Sequence, residues 1–172
     1  MPNNRDEKIN VAIKPDDLQL PDVRELLELH IAALNSINQA NNQMGHLLDL
    51  TGLQHSAITI FTARDASNHE LMGVAALKEI SPNHGELKSM RTAAGHQRKG
   101  VAAALVEALI AAAKARGYQR LSLETGVQDD FAAAKALYLR SGFLECEPYE
   151  GYVDDVPVEG SLFMTYRLSD GV

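Results

Sequence analysis

The sequence is short of several things at once. It has one cysteine, Cys146, among 172 residues, and no tryptophan. A lone cysteine excludes a disulfide framework within the chain and makes a thiolate metal cluster unexpected. Cys146 reads as a small apolar filler at the end of a strand, in a reduced, cytoplasmic setting. Basic residues are outnumbered, with 16 Lys and Arg against 23 Asp and Glu, a formal net charge of −7. That balance argues against nucleic acid as a partner, because nucleic-acid binders present a basic surface. It leaves room for a local basic pocket. Long apolar runs are missing too. The longest, residues 101–113, carries Glu107 and is too short to cross a bilayer. Residues 1–10 have no apolar signal core, so no membrane partner is expected.

What is present suits one globular domain. Hydrophobic residues make up 45% and charged residues 23%, ordinary values for a chain long enough to bury a core. Residues 1–8 are polar and read as a flexible N-terminus; residues 9–172 read as a single domain. "INVAIK" (9–14) alternates as a strand. Pro21 opens a helix that places Val23, Leu26, Leu27, His30, Leu34 and Ile37 on one side. A short second helix is expected around residues 46–50. Strands follow at 56–64, 71–80 and 86–92, the first two as a hairpin. A long helix is predicted over 97–116, then a strand at 118–125, a helix at 129–141 and late strands in "FLECEPY" and "SLFMTYRL". Antiparallel strands come first, then a strand–helix–strand unit, then a helix and a final pair. That order predicts an α+β fold, a mixed, mostly antiparallel central sheet with helices on both faces.

The stretch "GHQRKGVAAALVEALIAAA" (95–113) passes from a polar, basic loop into an apolar helix. A helix start leaves about four backbone N–H groups unpaired and its dipole favours an anion there. A strand and loop feeding such a start make a phosphate cradle. Gly100 lets backbone approach a ligand, and Arg98 and Lys99 add positive charge to an acidic protein. The plainer alternative is a solvated loop. The pattern is neither a Walker loop nor a dinucleotide fingerprint.

"QRKGVA" (97–102) resembles the Arg/Gln-x-x-Gly-x-Gly/Ala signature of the GNAT superfamily of N-acetyltransferases. "ALYLRSGF" (136–143) resembles that family's LY-x-x-x-GF element, and "GELKSMRT" (85–92) the strand before the signature. The order of elements is similar from residue 9 to residue 168, and the wording suggests a bacterial subgroup acting on small molecules. The resemblance implies acetyl-CoA as co-substrate, with its pyrophosphate on the backbone of Gln97, Arg98, Lys99, Gly100, Val101 and Ala102. It implies that Met90 and Thr92 hold the pantetheine arm like an added strand, and that a backbone N–H near Met90 or Arg91 polarises the thioester carbonyl. The cofactor arm would also meet Phe131, Ala134 and Tyr138. Phe131 stands where the family often has an asparagine that bonds this arm, so that contact is either lost or replaced by an apolar one.

Acetyl transfer to an amine needs a bound thioester, a deprotonated amine and a proton for the departing thiolate. Tyr138 is the candidate acid. Its hydroxyl, with a pKa of about 10, helps a thiolate of about 8.5 mainly through a hydrogen bond that strengthens as charge grows on sulfur. Packed in the core, the same tyrosine would have no such role. Glu86 is the candidate base and Glu124, on the neighbouring strand, its rival or a substrate anchor; each reads equally as a solvated carboxylate. Lys88 alternates with Glu86 on one strand face, while Arg91 points to the other face unless a bulge intervenes. Two carboxylates and a cation suit an acceptor with both an amine and a carboxylate, such as an amino acid. The six histidines are scattered, and no metal is expected. His30 reads as a core histidine, and His96 as a helix cap or phosphate contact. Phe143, Tyr149 and Tyr152 would line the acceptor pocket or pack in the hairpin. The leading reading is an acetyl-CoA-dependent N-acetyltransferase acting on a small-molecule amine in a ternary complex. A non-catalytic CoA-binding or sensing module is the alternative, a protein acetyltransferase a third. The oligomeric state is open, a homodimer among the options.

Overall fold

The computed structural model describes residues 9–40, 50–150 and 159–168. Strand β1 (Val11–Asp16) leads into helix α1 (Pro21–Ala40), the short helix α2 (Leu50–Leu53) and strands β2 (Ile58–Asp65), β3 (Leu71–Ser81) and β4 (His84–Thr92). Helix α3 (Val101–Ala115), β5 (Arg120–Gly126), α4 (Ala132–Arg140), β6 (Leu144–Cys146) and β7 (Ser161–Arg167) complete the chain. The seven strands form one sheet in the order β1-β2-β3-β4-β5-β7-β6. The pairings are antiparallel except for β4 with β5.

Alternation along the strands explains why both faces of the sheet are covered. Ile60, Val74 and Ala76 pack with Val23, Leu26 and Leu27 of α1 and Leu53 of α2. Their neighbours Phe61, Ala75 and Leu77 point the other way, joining Leu87, Leu121 and Leu123 under Val101, Leu105 and Leu109 of α3. Burying a leucine fully, as at Leu105 and Leu109, contributes about 2 kcal/mol each. Pro15 sits in β1, an edge strand, where a missing N–H is tolerated.

Three expectations are corrected. The long helix begins at Val101, not at Gln97. Gly100 at its N-cap has φ 86° and Arg98 has φ 61°, left-handed backbone that a right-handed helix does not contain. The helix expected over 129–141 begins as a 3₁₀ turn, Asp129–Phe131, before α4. The strand expected in "FLECEPY" holds only three residues. The short helix expected around 46–50 lies, but for Leu50, outside the described residues, as do residues 1–8 and Tyr152.

Candidate active site

The sheet comes apart at its centre. β4 pairs with β5 only from His84↔Arg120 to Leu87↔Leu123. Beyond that point β4 stays with β3, through Arg91↔Val74 and Thr92↔Gly73, while β5 stays with β7, through Glu124↔Phe163 to Gly126↔Ser161. A bulge marks the parting. Between Ala76↔Lys88 and Val74↔Arg91, β4 spends two residues, Ser89 and Met90, against one on β3, and Ser89 has φ 52°. A bulge bends its strand and turns backbone groups out of the ladder.

A cavity of about 150 Å³ occupies this parting. His30, Ile31 and Leu34 of α1 form one wall, and Leu87, Lys88, Ser89 and Met90 of β4 another. Glu124 and Thr125 close it from β5; Phe131, Ala134 and Tyr138 close it from the α4 side. Phe131 takes its place there because Gly126 has no side chain: a Cβ at Gly126 would run into the phenylalanine ring. Tyr138 is only 6% exposed, with its ring 5.8 Å from that of Phe143. Burial pushes its phenol well above the ordinary tyrosine range, so it stays protonated and able to donate.

Beside β4 lies the start of α3. No side chain caps it, and its first intrahelical bond among the turn and cap contacts runs from Ala104 N–H to Gly100 C=O at 3.1 Å. The loop before it carries left-handed residues at Gly95, Arg98 and Gly100 and is largely exposed. Left-handed residues among right-handed ones make N–H groups converge into an anion-binding nest. His96 does not cap the helix. Its Nε2 lies 3.0 Å from Glu70 Oε1.

On the sheet face shared with α1, polar side chains are tied together rather than solvated. Glu86 is 3% exposed. Tyr149 Oη donates to its Oε2 at 2.6 Å, and Lys88 Nζ lies 3.0 Å from its Oε1. Glu86 thus stands behind Lys88, which lines the cavity, while Glu86 does not. Glu124 accepts a bond from Ser161 Oγ at 2.6 Å. Arg91 stands opposite Val74, as Lys88 stands opposite Ala76, so the bulge brings both cations to the α1 face.

Two groups escaped the sequence reading. His30 is no ordinary core histidine: it lines the cavity, and its Nδ1 is buried without a hydrogen-bond partner. Burial, helped by the charge of Arg91, holds its pKa at about 4, so it is neutral at physiological pH. His84, 1% exposed, lies with Nδ1 2.9 Å from Glu150 Oε1 and Nε2 2.7 Å from Ser122 Oγ, which in turn lies 2.9 Å from Thr165 Oγ1. Burial lowers the His84 pKa, against the pull of Glu150. Phe143 is fully buried among Tyr138 and Tyr166, away from any acceptor wall. Among the described residues no group of three or more His, Cys, Asp and Glu is placed to hold a metal, and no helix is long and apolar enough to cross a membrane.

The sequence model of the Acetyltransferase (GNAT) family matches residues 25–143, more than half of the chain, and the chain belongs to that family. It is an acetyl-CoA-dependent N-acetyltransferase. It is 42% identical over 156 residues to the uncharacterized N-acetyltransferase YsnE of Bacillus subtilis, covering 91% of this chain and 99% of that one. With the uncharacterized N-acetyltransferase YedL of Escherichia coli it shares 40% identity over 141 residues, 82% and 86% of the two chains. A GNAT family acetyltransferase of Elizabethkingia anophelis, solved with acetyl-CoA bound, superposes with a TM-score of 0.66 over 94% of this chain and all of its own, at 20% identity.

Proposed function

We propose that the protein moves the acetyl group of acetyl-CoA onto the amine of a small, amino-acid-like molecule by direct attack within a ternary complex. The parting of β4 from β5 carries this reading, because it sets Tyr138 and the bulged backbone around one cavity with Lys88 and Glu124. The backbone of Gln97, Arg98, Lys99, Gly100, Val101 and Ala102 holds the pyrophosphate at the uncapped start of α3. Met90, Arg91 and Thr92 offer backbone groups to the pantetheine arm, and Phe131 and Ala134 give it an apolar wall where the family often uses an asparagine.

In the reaction the amine lone pair forms a C–N bond with the thioester carbon, the C–S bond breaks, and the thiolate leaves with the electron pair. A backbone N–H at the bulge stabilises the oxygen on which charge develops. Tyr138, kept neutral by burial, donates to the sulfur. After attack the nitrogen passes one proton to the Glu124 carboxylate, which returns it to solvent. Glu124 holds the amine at the β5 wall, and Lys88 pairs with the acceptor's acid group. The role of Glu86 follows from its partners: held by Tyr149, it keeps the Lys88 ammonium at the cavity wall.

The test is a panel of amines, spanning amino acids and polyamines, incubated with acetyl-CoA and read as free thiol. Amino acids or their relatives should release thiol at the highest rates. Turnover confined to polyamines, or to none of the panel, would sink the acceptor reading while leaving the family untouched.

A further inference from the structure

His84, Glu86 and Lys88 alternate along β4 and so share one face of the sheet, with Ser122 and Glu124 of β5 and Phe163 and Thr165 of β7 in register beside them. This row begins at a buried histidine and ends at the cavity, whose wall contains Lys88 and Glu124. Tyr149 and Glu150, from the segment after β6, lie against it. Tyr149 Oη donates to Glu86 Oε2 at 2.6 Å, and its ring stands edge-on to those of His84 and Phe163, with centroids 5.3 and 5.6 Å apart. Glu150 Oε1 lies 2.9 Å from His84 Nδ1, and its carboxylate also lies 3.4 Å from Ser81 Oγ and 3.4 Å from Arg120 Nη2.

His84 is therefore met by both of these neighbours, on its ring by Tyr149 and at Nδ1 by Glu150. The ring is also fixed from behind. A carboxylate only accepts, so Nδ1 donates to Glu150. Burial favours the neutral imidazole, so Nε2 accepts from Ser122 Oγ at 2.7 Å, and Ser122 in turn lies 2.9 Å from Thr165 Oγ1. These bonds tie β4 to β5 and β7 at one post. Resting on the reading above that Lys88 pairs with the acceptor's acid group, we propose that His84 is a positioning residue for the acceptor: through its ring and through Glu150 it fixes Tyr149, and Tyr149 sets the Glu86 carboxylate that holds the Lys88 ammonium at the cavity wall.

A carboxylate touched at one oxygen still turns about its last bond. Glu86 is met at both, with Lys88 Nζ 3.0 Å from Oε1 and Tyr149 on Oε2. Without the Tyr149 bond the carboxylate turns and carries Lys88 with it, or draws the ammonium onto both oxygens. Either way the charge is withdrawn from the acceptor's acid group. Glu150 acts one step earlier. Its side chain is 50% exposed, so shortening it leaves no hole in the core while it releases His84 Nδ1. Neither His84, Tyr149 nor Glu150 lines the cavity, so their effect on an acceptor passes through Glu86 and Lys88.

The experiment uses the amino acid that the enzyme turns over fastest and the amide of its carboxyl group, assayed by thiol release. The amide keeps the amine and loses the charge that Lys88 meets. In Glu150→Ala and Tyr149→Phe the KM for the acid should rise about threefold to tenfold, the size of one lost hydrogen bond, while kcat, the KM for acetyl-CoA and the KM for the amide hold. Glu150→Gln keeps an oxygen that accepts from His84 Nδ1 and should recover most of the loss. His84→Phe, which keeps a ring and loses both bonds, should match Glu150→Ala; the Glu150 variants carry the test without touching the buried site. In a Lys88→Ala background none of these substitutions should raise the KM further, because residues that act through one group are not additive. An unmoved KM for the acid in Glu150→Ala and Tyr149→Phe would overturn the proposal. So would equal losses on acid and amide, the mark of general loosening, a Glu150→Gln as impaired as Glu150→Ala, or losses that add to that of Lys88→Ala. Equal KM for acid and amide in the wild type would instead remove the reading of Lys88, and the proposal with it.

Discussion

His30 makes the stability of the folded protein depend on pH in a calculable way. Its ordinary pKa is 6.5 and its folded value is about 4. Above pH 6.5 neither the folded nor the unfolded chain protonates it, and it contributes nothing to the pH dependence. As pH falls below 6.5 the unfolded chain gains a proton that the folded chain refuses, so stability is lost progressively until pH reaches about 4. Between pH 8 and pH 5.5 the loss from this group alone is about 1.4 kcal/mol. For a domain of this size that corresponds to about 3–6 °C in Tm. His84 acts in the same direction, since burial lowers its pKa as well, so wild type should fall by more than His30 alone requires. The comparison with His30→Leu isolates the first contribution. Thermal melts of both proteins at pH 8 and pH 5.5 should show a smaller drop in the variant, by about 3–6 °C. Stopping at pH 5.5 keeps most carboxylates ionised. Equal drops in the two proteins would mean that His30 takes up its proton in the folded state as easily as outside it, and the neutral buried imidazole would have to be abandoned.

Gly100→Val places a β-branched residue at φ 86°, which costs about 1–2 kcal/mol in backbone energy. Calorimetry with CoA should show affinity weakened about tenfold or more; unchanged affinity would detach the loop from the cofactor. Tyr138→Phe should cut kcat about 10²-fold with CoA affinity preserved, whereas wild-type turnover on a verified substrate would leave Tyr138 a packing residue. Lys88→Ala should raise KM for an amino acid more than it changes kcat, the mark of lost ground-state binding. It should also lower Tm, because buried Glu86 loses a counter-charge. A KM that does not move would place Lys88 outside acceptor binding.

Local periodicity made most of the fold legible. Alternation in β2 and β3 and the apolar stripe of α1 are properties of neighbours along the chain, and the strands and helix fall within a few residues of where those patterns put them. Boundaries failed where a single backbone angle decided them, as at Gly100, since composition around 97–100 is compatible with a helix until φ turns positive. The candidate site was legible where a motif fixed it to an element end. It was not legible where contacts run across the sheet. Glu86 reads as a solvated carboxylate from its own strand, and only Tyr149, 63 positions away, and Lys88 together show why it can be buried. Arg91 changes face because of a two-residue bulge that no residue type announces. His30 continues the buried stripe of α1 past Leu26 and Leu27. Whether that stripe meets core or cavity depends on where β4 leaves β5, and neither segment encodes that alone.

The acidic balance of the chain and its anionic co-substrate are reconciled at the scale of individual side chains. Screening at physiological salt acts over about 8 Å, so a net charge of −7 spread over the surface is weak at any one point. The start of α3 has no side-chain cap and carries Arg98 and Lys99 just before it, a local setting that favours an anion whatever the net charge. Deeper in, charge is costly to bury and is handled in pairs: Glu86 answers Lys88, and Glu150 with Ser122 satisfies His84. His30 breaks that pattern. Its Nδ1 is buried with no hydrogen-bond partner among the described residues, and burial strips the ring of charge instead of pairing it.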